Sequence, residues 1–102
     1  MPRVIVEQQF PEPISDEDYQ RFADRVDPCL AERHAAWRRS YMSSDRRRTV
    51  CEFDAVDAET VREAYRNANV PFTTVWTATV FAVEDYPDAQ KRLDETLRKR
   101  SE

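Results

Sequence analysis

The sequence predicts an α+β domain in which two helices cover one face of a four-stranded antiparallel sheet. β-Rich segments alternate with segments whose apolar residues recur at helical spacing, in the order strand, helix, strand, strand, helix, strand. This order is the ferredoxin-like βαββαβ pattern, and one more helical segment follows it. A chain of 102 residues allows one domain. We therefore expect a single domain over 1–102, with a core in 1–84 and an added helix in 85–102.

The first half of the chain supplies one strand, one helix and a hairpin. Residues 3–10 are rich in β-branched side chains and end before two prolines, which is typical of a strand. Ser15 begins a helix, in which Pro28 is expected to produce a kink or a division. Residues 36–43 and 48–54 flank a Ser-Ser-Asp-Arg-Arg turn, and together they predict the hairpin.

The second half supplies the remaining helix and strand, followed by the added helix. Asp57 is placed to begin a helix, and Asn67 or Asn69 to end it. Residues 73–83 are almost continuously β-prone and predict the fourth strand. Residues 85–100 have a helical pattern with a narrow apolar face, so we expect that helix to pack weakly or against a partner.

The chain contains no glycine. A phosphate-binding Walker loop and a dinucleotide-binding fingerprint both require glycine, so neither can be present. Other residues must also occupy any backbone position with a positive φ angle. We expect Asp45 to do so in the hairpin and an asparagine to do so at the end of the second helix.

Charge and cysteine content restrict the partners. The chain has 16 basic and 20 acidic residues, whereas a nucleic-acid-binding surface would be basic, so we do not expect nucleic acid as a partner. The basic run 46–48 is interpreted as solvated loop charge. Two cysteines 22 positions apart do not make a disulfide framework, and no apolar segment approaches a membrane span. These features favour a cytoplasmic protein with free thiols and no membrane partner.

The sheet face that points away from the helices is predicted to be too apolar to remain in water. Strand alternation places on it Ile5, Trp37, Tyr41, Val50, Val75, Phe81 and Val83. We therefore expect two chains to pair through this face as a dimeric α+β barrel. Polar residues would lie within or beside the barrel, namely Glu7, Arg39, Glu52, Thr77 and Thr79. Because buried charges need partners, we expect Arg39 to lie between Glu7 and Glu52.

Three functions remain open for this face. A pocket lined by Trp37 and Tyr41, with the five polar residues just named, would bind a small ligand or a metal ion. A cofactor-free enzyme would use Glu7 or Glu52 as a base whose pKa is raised by burial. A structural or interaction module would simply fill the barrel. The pattern favours binding over catalysis, because it contains no catalytic motif.

Metal ligands are few. The single histidine is His34, and neither cysteine has the spacing of a metal site, so we do not expect one chain to form a transition-metal site alone. A site shared between two chains would draw on His34, Glu7 or Glu52.

Four segments within residues 3–76 form a recognisable pattern. They read Arg3-Val4-Ile5-Val6-Glu7-x-x-Phe10-Pro11, Trp37-x-x-Ser40-Tyr41-Met42-x-x-Asp45, Cys51-x-Phe53-x-Ala55-x-Asp57-x-Glu59-x-Val61-Arg62-Glu63-Ala64 and Asn69-Val70-Pro71. This pattern resembles a family of small bacterial proteins of unknown function that includes a nickel-binding, nickel-responsive ferredoxin-like dimer. The resemblance implies a ferredoxin-like subunit, a dimeric barrel and nickel as a possible cofactor.

Two residues depart from the family pattern. Tyr65 stands where the family often has histidine, and Asn69 stands where it usually has glycine. If that histidine binds metal in the family, this chain has lost the ligand.

Overall fold

A computed structural model describes residues 1–101 as four antiparallel strands and three α-helices. The strands lie in the order β2-β3-β1-β4, which is the ferredoxin-like arrangement. The predicted α+β class, the βαββαβ order and the added C-terminal helix are confirmed. Residue 102, the last of the predicted C-terminal segment, lies outside the described range. The elements are β1 Arg3–Gln9, α1 Asp16–Glu32, β2 Ala36–Met42, β3 Arg48–Asp54, α2 Ala58–Asn67, β4 Thr74–Ala78, a short 3₁₀ turn Val83–Asp85 and α3 Pro87–Ser101.

Side-chain caps begin the first two helices where the sequence predicts them. The Ser15 hydroxyl accepts a hydrogen bond from the backbone N–H of Asp18, at 3.0 Å. The Asp57 carboxylate accepts one from the backbone N–H of Thr60, at 2.7 Å. Pro28 lies inside α1 without dividing it, so α1 is one helix of 17 residues.

The core lies between one face of the sheet and the two helices α1 and α2. Tyr65 of α2 is at its centre, with its ring edge-on to both Phe53 and Phe72. Buried residues from every strand except β2 join the cluster, among them Val4, Val6, Val26, Leu30, Cys51, Phe53, Val61, Ala64, Val70 and Val75. Two polar residues, Gln8 and Thr49, are also buried, and both have partners. The Thr49 hydroxyl donates to the Gln8 Oε1 atom at 2.8 Å, and the Gln8 Nε2 atom donates to the Pro71 carbonyl at 2.9 Å.

Three non-glycine residues adopt positive φ angles: His34, Arg46 and Asn69. His34 and Asn69 end α1 and α2 in the same way. In α1, Ala35 donates its backbone N–H to the Leu30 carbonyl, and the His34 N–H bonds to the Ala31 carbonyl. Asn69 and Val70 repeat this pattern at the end of α2. Both ends are Schellman motifs, in which the left-handed position is usually glycine.

In the hairpin, Arg46 takes the positive φ angle, so the prediction of Asp45 is wrong. A hydrogen bond from the Arg46 N–H to the Ser43 carbonyl, at 2.9 Å, closes a turn over residues 43–46, and the positive φ angle falls one residue after Asp45. Asp45 has another task, because its carboxylate accepts hydrogen bonds from the Ser43 hydroxyl and the Arg47 N–H. These bonds lower the pKa of Asp45 below its ordinary value.

The basic run in the hairpin fastens the loop that connects β1 to α1, which corrects its interpretation as solvated charge. The Arg46 guanidinium donates to the Ile14 carbonyl at 2.6 Å and pairs with Asp16. The Arg47 guanidinium donates to the Pro11 carbonyl at 2.8 Å. Both arginines therefore connect the hairpin turn to the loop between β1 and α1.

β4 is shorter than the predicted 73–83 and ends at Ala78. Its only neighbour is β1, and the last pair in the ladder is Arg3 with Ala78. The residue before Arg3 is Pro2, which has no backbone N–H to continue the ladder. β4 therefore ends because its partner strand has run out, although its own residues remain β-prone.

α3 lies apart from the core. Among the described elements it packs mainly on the 3₁₀ turn that precedes it, and it has no buried residue. Leu93 and Leu97 are exposed, as is Phe81 in the connection from β4. Within residues 1–101, no helix has the length and apolar content required to cross a bilayer.

Replacing His34 with glycine is expected to raise the free energy of unfolding by about 0.5–1 kcal/mol. Glycine adopts the left-handed conformation without the steric cost that a Cβ atom imposes, and this gain exceeds its extra entropy in the unfolded chain. Urea denaturation of wild type, His34→Gly and His34→Ala measures the effect. The left-handed strain has been misassigned if the glycine variant is no more stable than the alanine variant.

Removal of residues 86–102 is expected to leave the rest of the protein folded. Because α3 buries no residue against the core, the free energy of unfolding should change by less than about 0.5 kcal/mol. Urea denaturation followed by far-ultraviolet circular dichroism measures this. A loss of more than about 2 kcal/mol would show that α3 stabilises the sheet.

Candidate functional site

The candidate site is the sheet face that points away from α1 and α2, which we call the open face. β1 places Arg3, Ile5 and Glu7 on it. β3 contributes side chains of alternate residues, which are Arg48, Val50, Glu52 and Asp54. The alternation predicted for these two strands is confirmed, because Val4, Val6, Cys51 and Phe53 are buried on the helix side.

A β-bulge in β2 changes which of its side chains reach the open face. The register shifts between Trp37 and Arg39, so that Trp37 pairs with Phe53 whereas Arg39 pairs with Glu52. Trp37 therefore lies on the helix side, where its indole N–H donates to the Ser40 hydroxyl at 2.8 Å. The prediction that Trp37 lines the open face is wrong. Arg39 and Tyr41 follow the bulge and keep their predicted places.

β4 is in the opposite phase to the one predicted. Val75 pairs with Val6 and is buried in the core, and Thr77 pairs with Val4 on the same side. Thr77 is therefore not on the open face, and Thr79 lies beyond the end of the strand. The β4 residues on the open face are Thr74 and Trp76, which pair with Glu7 and Ile5.

One end of the open face carries a network of five charged side chains. The Arg3 guanidinium lies between Glu52, at 3.4 Å, and Asp54, at 3.2 Å. Arg39 contacts Glu52 at 2.9 Å, and Arg38 contacts Asp54 at the same distance. Each carboxylate in this network is thus bound by two arginines.

Glu7 lies outside that network and has its own set of partners. Its Oε2 atom accepts a hydrogen bond from the Thr74 hydroxyl, at 2.8 Å, and one from the Trp76 indole N–H, at 3.1 Å. Its Oε1 atom is 3.8 Å from the Arg48 guanidinium. The prediction that Arg39 bridges Glu7 and Glu52 is therefore correct for Glu52 only.

The pKa shifts on the open face favour ionised carboxylates. Hydrogen bonds from Thr74 and then Trp76 lower the pKa of Glu7 below its ordinary value. Burial raises the pKa of Asp54, but hydrogen bonds from Arg38 and Arg3 outweigh burial and lower it overall. In one chain the Glu7 carboxylate thus has hydrogen-bond donors that favour its ionised form. The raised pKa expected for a Glu7 buried within a dimeric barrel stays a prediction.

The residues of one chain do not fit a nickel site. Within residues 1–101, no three His, Cys, Asp or Glu side chains come together as a metal-binding group. His34 lies in the exposed turn between α1 and β2, and the carboxylates of Glu7 and Glu52 are engaged by arginine, threonine and tryptophan. Tyr65, at the position where a family histidine is common, is buried in the core.

Five residues of the open face escaped the sequence-based prediction of the site: Arg3, Arg38, Arg48, Thr74 and Trp76. The period of β1 places Arg3 beside Ile5 and Glu7, and the period of β3 places Arg48 beside Val50, so the sequence carried a signal for both. Arg38 required knowledge of the bulge. Thr74 and Trp76 required the phase of β4, which is apolar on both sides and so does not reveal its buried face.

Comparison with known proteins identifies the family. The model of the family described as "Nickel responsive protein SCO4226-like" matches residues 5–77. The chain belongs to the SCO4226-like family. A crystal structure of SCO4226 from Streptomyces coelicolor A3(2) matches this SCO4226-like chain with a TM-score of 0.70 and 9% sequence identity. The match covers 78% of this chain and 99% of the other, and at this identity it shows a common fold. No curated protein matches the sequence.

The low pKa of Glu7 makes a specific pH dependence testable. A carboxyl group whose folded pKa is below its unfolded value stabilises the fold above the unfolded value, which is 4.5 here, and this stabilisation is lost as pH falls through the folded pKa. The difference in unfolding free energy between wild type and Glu7→Gln should therefore be constant above about pH 6 and shrink toward about pH 3.

Urea denaturation across this pH range measures the difference, and Thr74→Val serves as the companion variant. Loss of the Thr74 donor should make the pH-dependent part smaller while Glu7 remains in place. A difference between wild type and Glu7→Gln that stays constant down to about pH 3 would contradict the lowered pKa.

Proposed function

We propose that this protein is a cytoplasmic homodimer that binds a small anionic ligand between the open faces of its two chains. The arginine-rich open face is the observation that carries the proposal. The free cysteines of the chain, Cys29 and Cys51, are consistent with a reducing compartment.

The dimer is supported by the apolar side chains that one chain leaves in water. Tyr41 is 55% exposed and Trp76 is 46% exposed, although both are large and lie on the same sheet face. Ile5, between them on β1, is already buried, so the centre of the face is apolar. A second copy placed on this face would remove the two aromatic rings from water and leave the charged groups around them.

An anionic ligand is supported by the balance of charge. The open face carries four arginines against three carboxylates, which leaves one positive charge in excess per chain. Arg39 and Arg48 are more than half exposed, at 56% and 61%, and each contacts one carboxylate only. A guanidinium has five N–H donors in a planar fork, so both retain donors for a carboxylate or phosphate group.

Nickel is the second candidate ligand, and the description of the family favours it. Since one chain does not bring three suitable ligands together, two chains would have to share the ion, with Glu7, Glu52 and His34 as the available side chains. Elemental analysis of untagged protein after incubation with nickel and desalting distinguishes the candidates. Binding of about one nickel ion per dimer, lost in both Glu7→Gln and His34→Ala, would identify nickel and not an anion as the ligand of this face.

The other two interpretations receive less support. A general base needs a pKa near the working pH, whereas the pKa of Glu7 is lowered. A module whose barrel is simply filled by side chains needs no free arginine donors, whereas Arg39 and Arg48 on the open face remain more than half exposed.

Sedimentation velocity tests the homodimer. Wild type is expected to sediment with about twice the mass of one chain. Arg39→Glu is expected to weaken the dimer at least about tenfold, because it places a new carboxylate beside Glu52. Arg92→Glu makes the same charge change on α3 and should leave the dimer intact. A monomeric wild type, or a dimer that Arg39→Glu does not weaken, would contradict pairing through the open face.

Calorimetric titration tests the anionic ligand, with benzoate as the charged probe and benzyl alcohol as its uncharged counterpart. Benzoate is expected to bind and benzyl alcohol is not. Arg48→Gln should weaken benzoate binding by about fivefold to tenfold, because it removes a charge-assisted hydrogen bond. Equal binding of the two probes, or no binding of benzoate at millimolar concentration, would overturn the proposal.

A further inference from the structure

A cavity lies on the helix side of the sheet, between α1 and strands β2 and β3. Its volume is about 440 Å³, which is within the range of small-molecule sites. Its walls are mainly apolar side chains of the core, such as Val26, Leu30, Phe53, Tyr65 and Val70. The cavity exists because α1 does not fully cover the edge strand β2, most of whose side chains remain exposed.

The exposed part of the lining combines a carboxylate with an aromatic ring. Asp27 of α1 and Trp37 of β2 both line the cavity. Asp27 forms no ion pair and no side-chain hydrogen bond within residues 1–101, although twelve ion pairs occur elsewhere in that range. Partial burial and then the neighbouring Asp24 raise its pKa.

The Trp37 side chain lines this space. Its indole N–H already donates to the Ser40 hydroxyl at 2.8 Å, so its polar atom is occupied while the side chain remains 60% exposed. Aromatic rings attract cations over their faces, and Trp does so more strongly than Tyr or Phe. The Asp27 carboxylate would supply the negative charge that pairs with such a cation. The bulge in β2 is what brings this ring to the cavity.

The deeper lining contains a short polar chain. The Tyr19 hydroxyl is 3.2 Å from the Cys51 Sγ atom, which is buried against the sheet. Burial and then the Cys51 contact raise the pKa of Tyr19, so this hydroxyl is neutral at pH 7 and available as a hydrogen-bond donor or acceptor. Gln8 and Ser40 add two further polar side chains to the sheet side of the cavity, and Phe53 supplies its apolar surface.

We propose that this cavity binds a small organic amine, whose ammonium group lies between Asp27 and the Trp37 ring while its apolar body packs against Val26, Leu30 and Phe53. The cavity supplies what an ammonium ion with a hydrocarbon body needs: an unpaired carboxylate, an aromatic face and a dry wall. The site is distinct from the open face, because the two lie on opposite sides of the sheet. Pairing of chains through the open face would leave it accessible.

Isothermal titration calorimetry with 2-phenylethylamine, 2-phenylethanol and 3-phenylpropionate tests the proposal. The three probes share a phenyl ring and differ in charge. We expect 2-phenylethylamine to bind at least about tenfold more tightly than the other two, because a charge-assisted hydrogen bond and the cation–π contact are specific to the ammonium group. No binding of the amine at millimolar concentration, or equal binding of the amine and the alcohol, would overturn the proposal.

Asp27→Asn is expected to weaken amine binding at least about tenfold, and Trp37→Leu by about fivefold. The matched control is Asp24→Asn, which makes the same change one helical turn away in a residue that does not line the cavity and should alter affinity less than twofold. Both asparagine variants change exposed positions, and circular dichroism verifies their folding.

Amide chemical shifts locate the bound amine. Perturbations centred on the cavity lining in residues 19–31, 37–40 and 51–53, together with the losses above, support the cavity. Perturbations centred on Glu7, Thr74 and Trp76, or an affinity that Asp27→Asn does not change, would place the amine on the open face and refute the assignment. The outcome with benzoate is independent, since that probe concerns the arginines of the other face.

Discussion

The β-bulge between Trp37 and Arg39 determines what each side of the sheet can do. Side chains of a strand alternate between the two faces, so one extra residue reverses the assignment of everything before it relative to everything after it. Here the extra residue allows Arg38 and Arg39 to engage Asp54 and Glu52, both on the open face. The same shift carries Trp37 to the helix side, where its indole is fixed by Ser40. Without the bulge, Trp37 and Arg39 would lie on the same face of the sheet.

The parts of the site that the sequence predicts correctly are those on strands with a clear period. In β1 and β3 the helix side is mostly apolar and the open face carries most of the charged residues, so Glu7 and Glu52 could be placed on the open face in advance. A bulge has no signal in the residue pattern, and β4 is apolar on both faces, so Trp37 and Thr77 were assigned to the wrong side. The prediction of the fold is unaffected by these two errors, because element order and helical periodicity do not depend on which face a strand presents.

The absence of glycine leaves its mark at the three turns that need a positive φ angle. His34 and Asn69 end the helices in Schellman motifs, and Arg46 bends the hairpin. Arg46 also holds the β1–α1 loop, because its side chain donates to the Ile14 carbonyl and pairs with Asp16. The residue that carries the backbone strain in the hairpin is therefore itself fixed by side-chain contacts. Because these turns contain no glycine, their backbone has little conformational freedom. They suit preformed sites on a rigid sheet, which is the character of both the arginine-rich open face and the cavity beside α1.

The two tryptophans lie on opposite faces of the sheet, Trp37 with the helices and Trp76 with Glu7, and both proposed sites depend on this placement. Nuclear Overhauser measurements on the two indole N–H protons test it directly, after assignment with Trp37→Phe and Trp76→Phe. We expect cross-peaks from the Trp37 indole to the Ser40 Hβ protons, and from the Trp76 indole to the Glu7 Hγ protons. Cross-peaks from the Trp37 indole to the ring of Tyr41, on the open face, would contradict it.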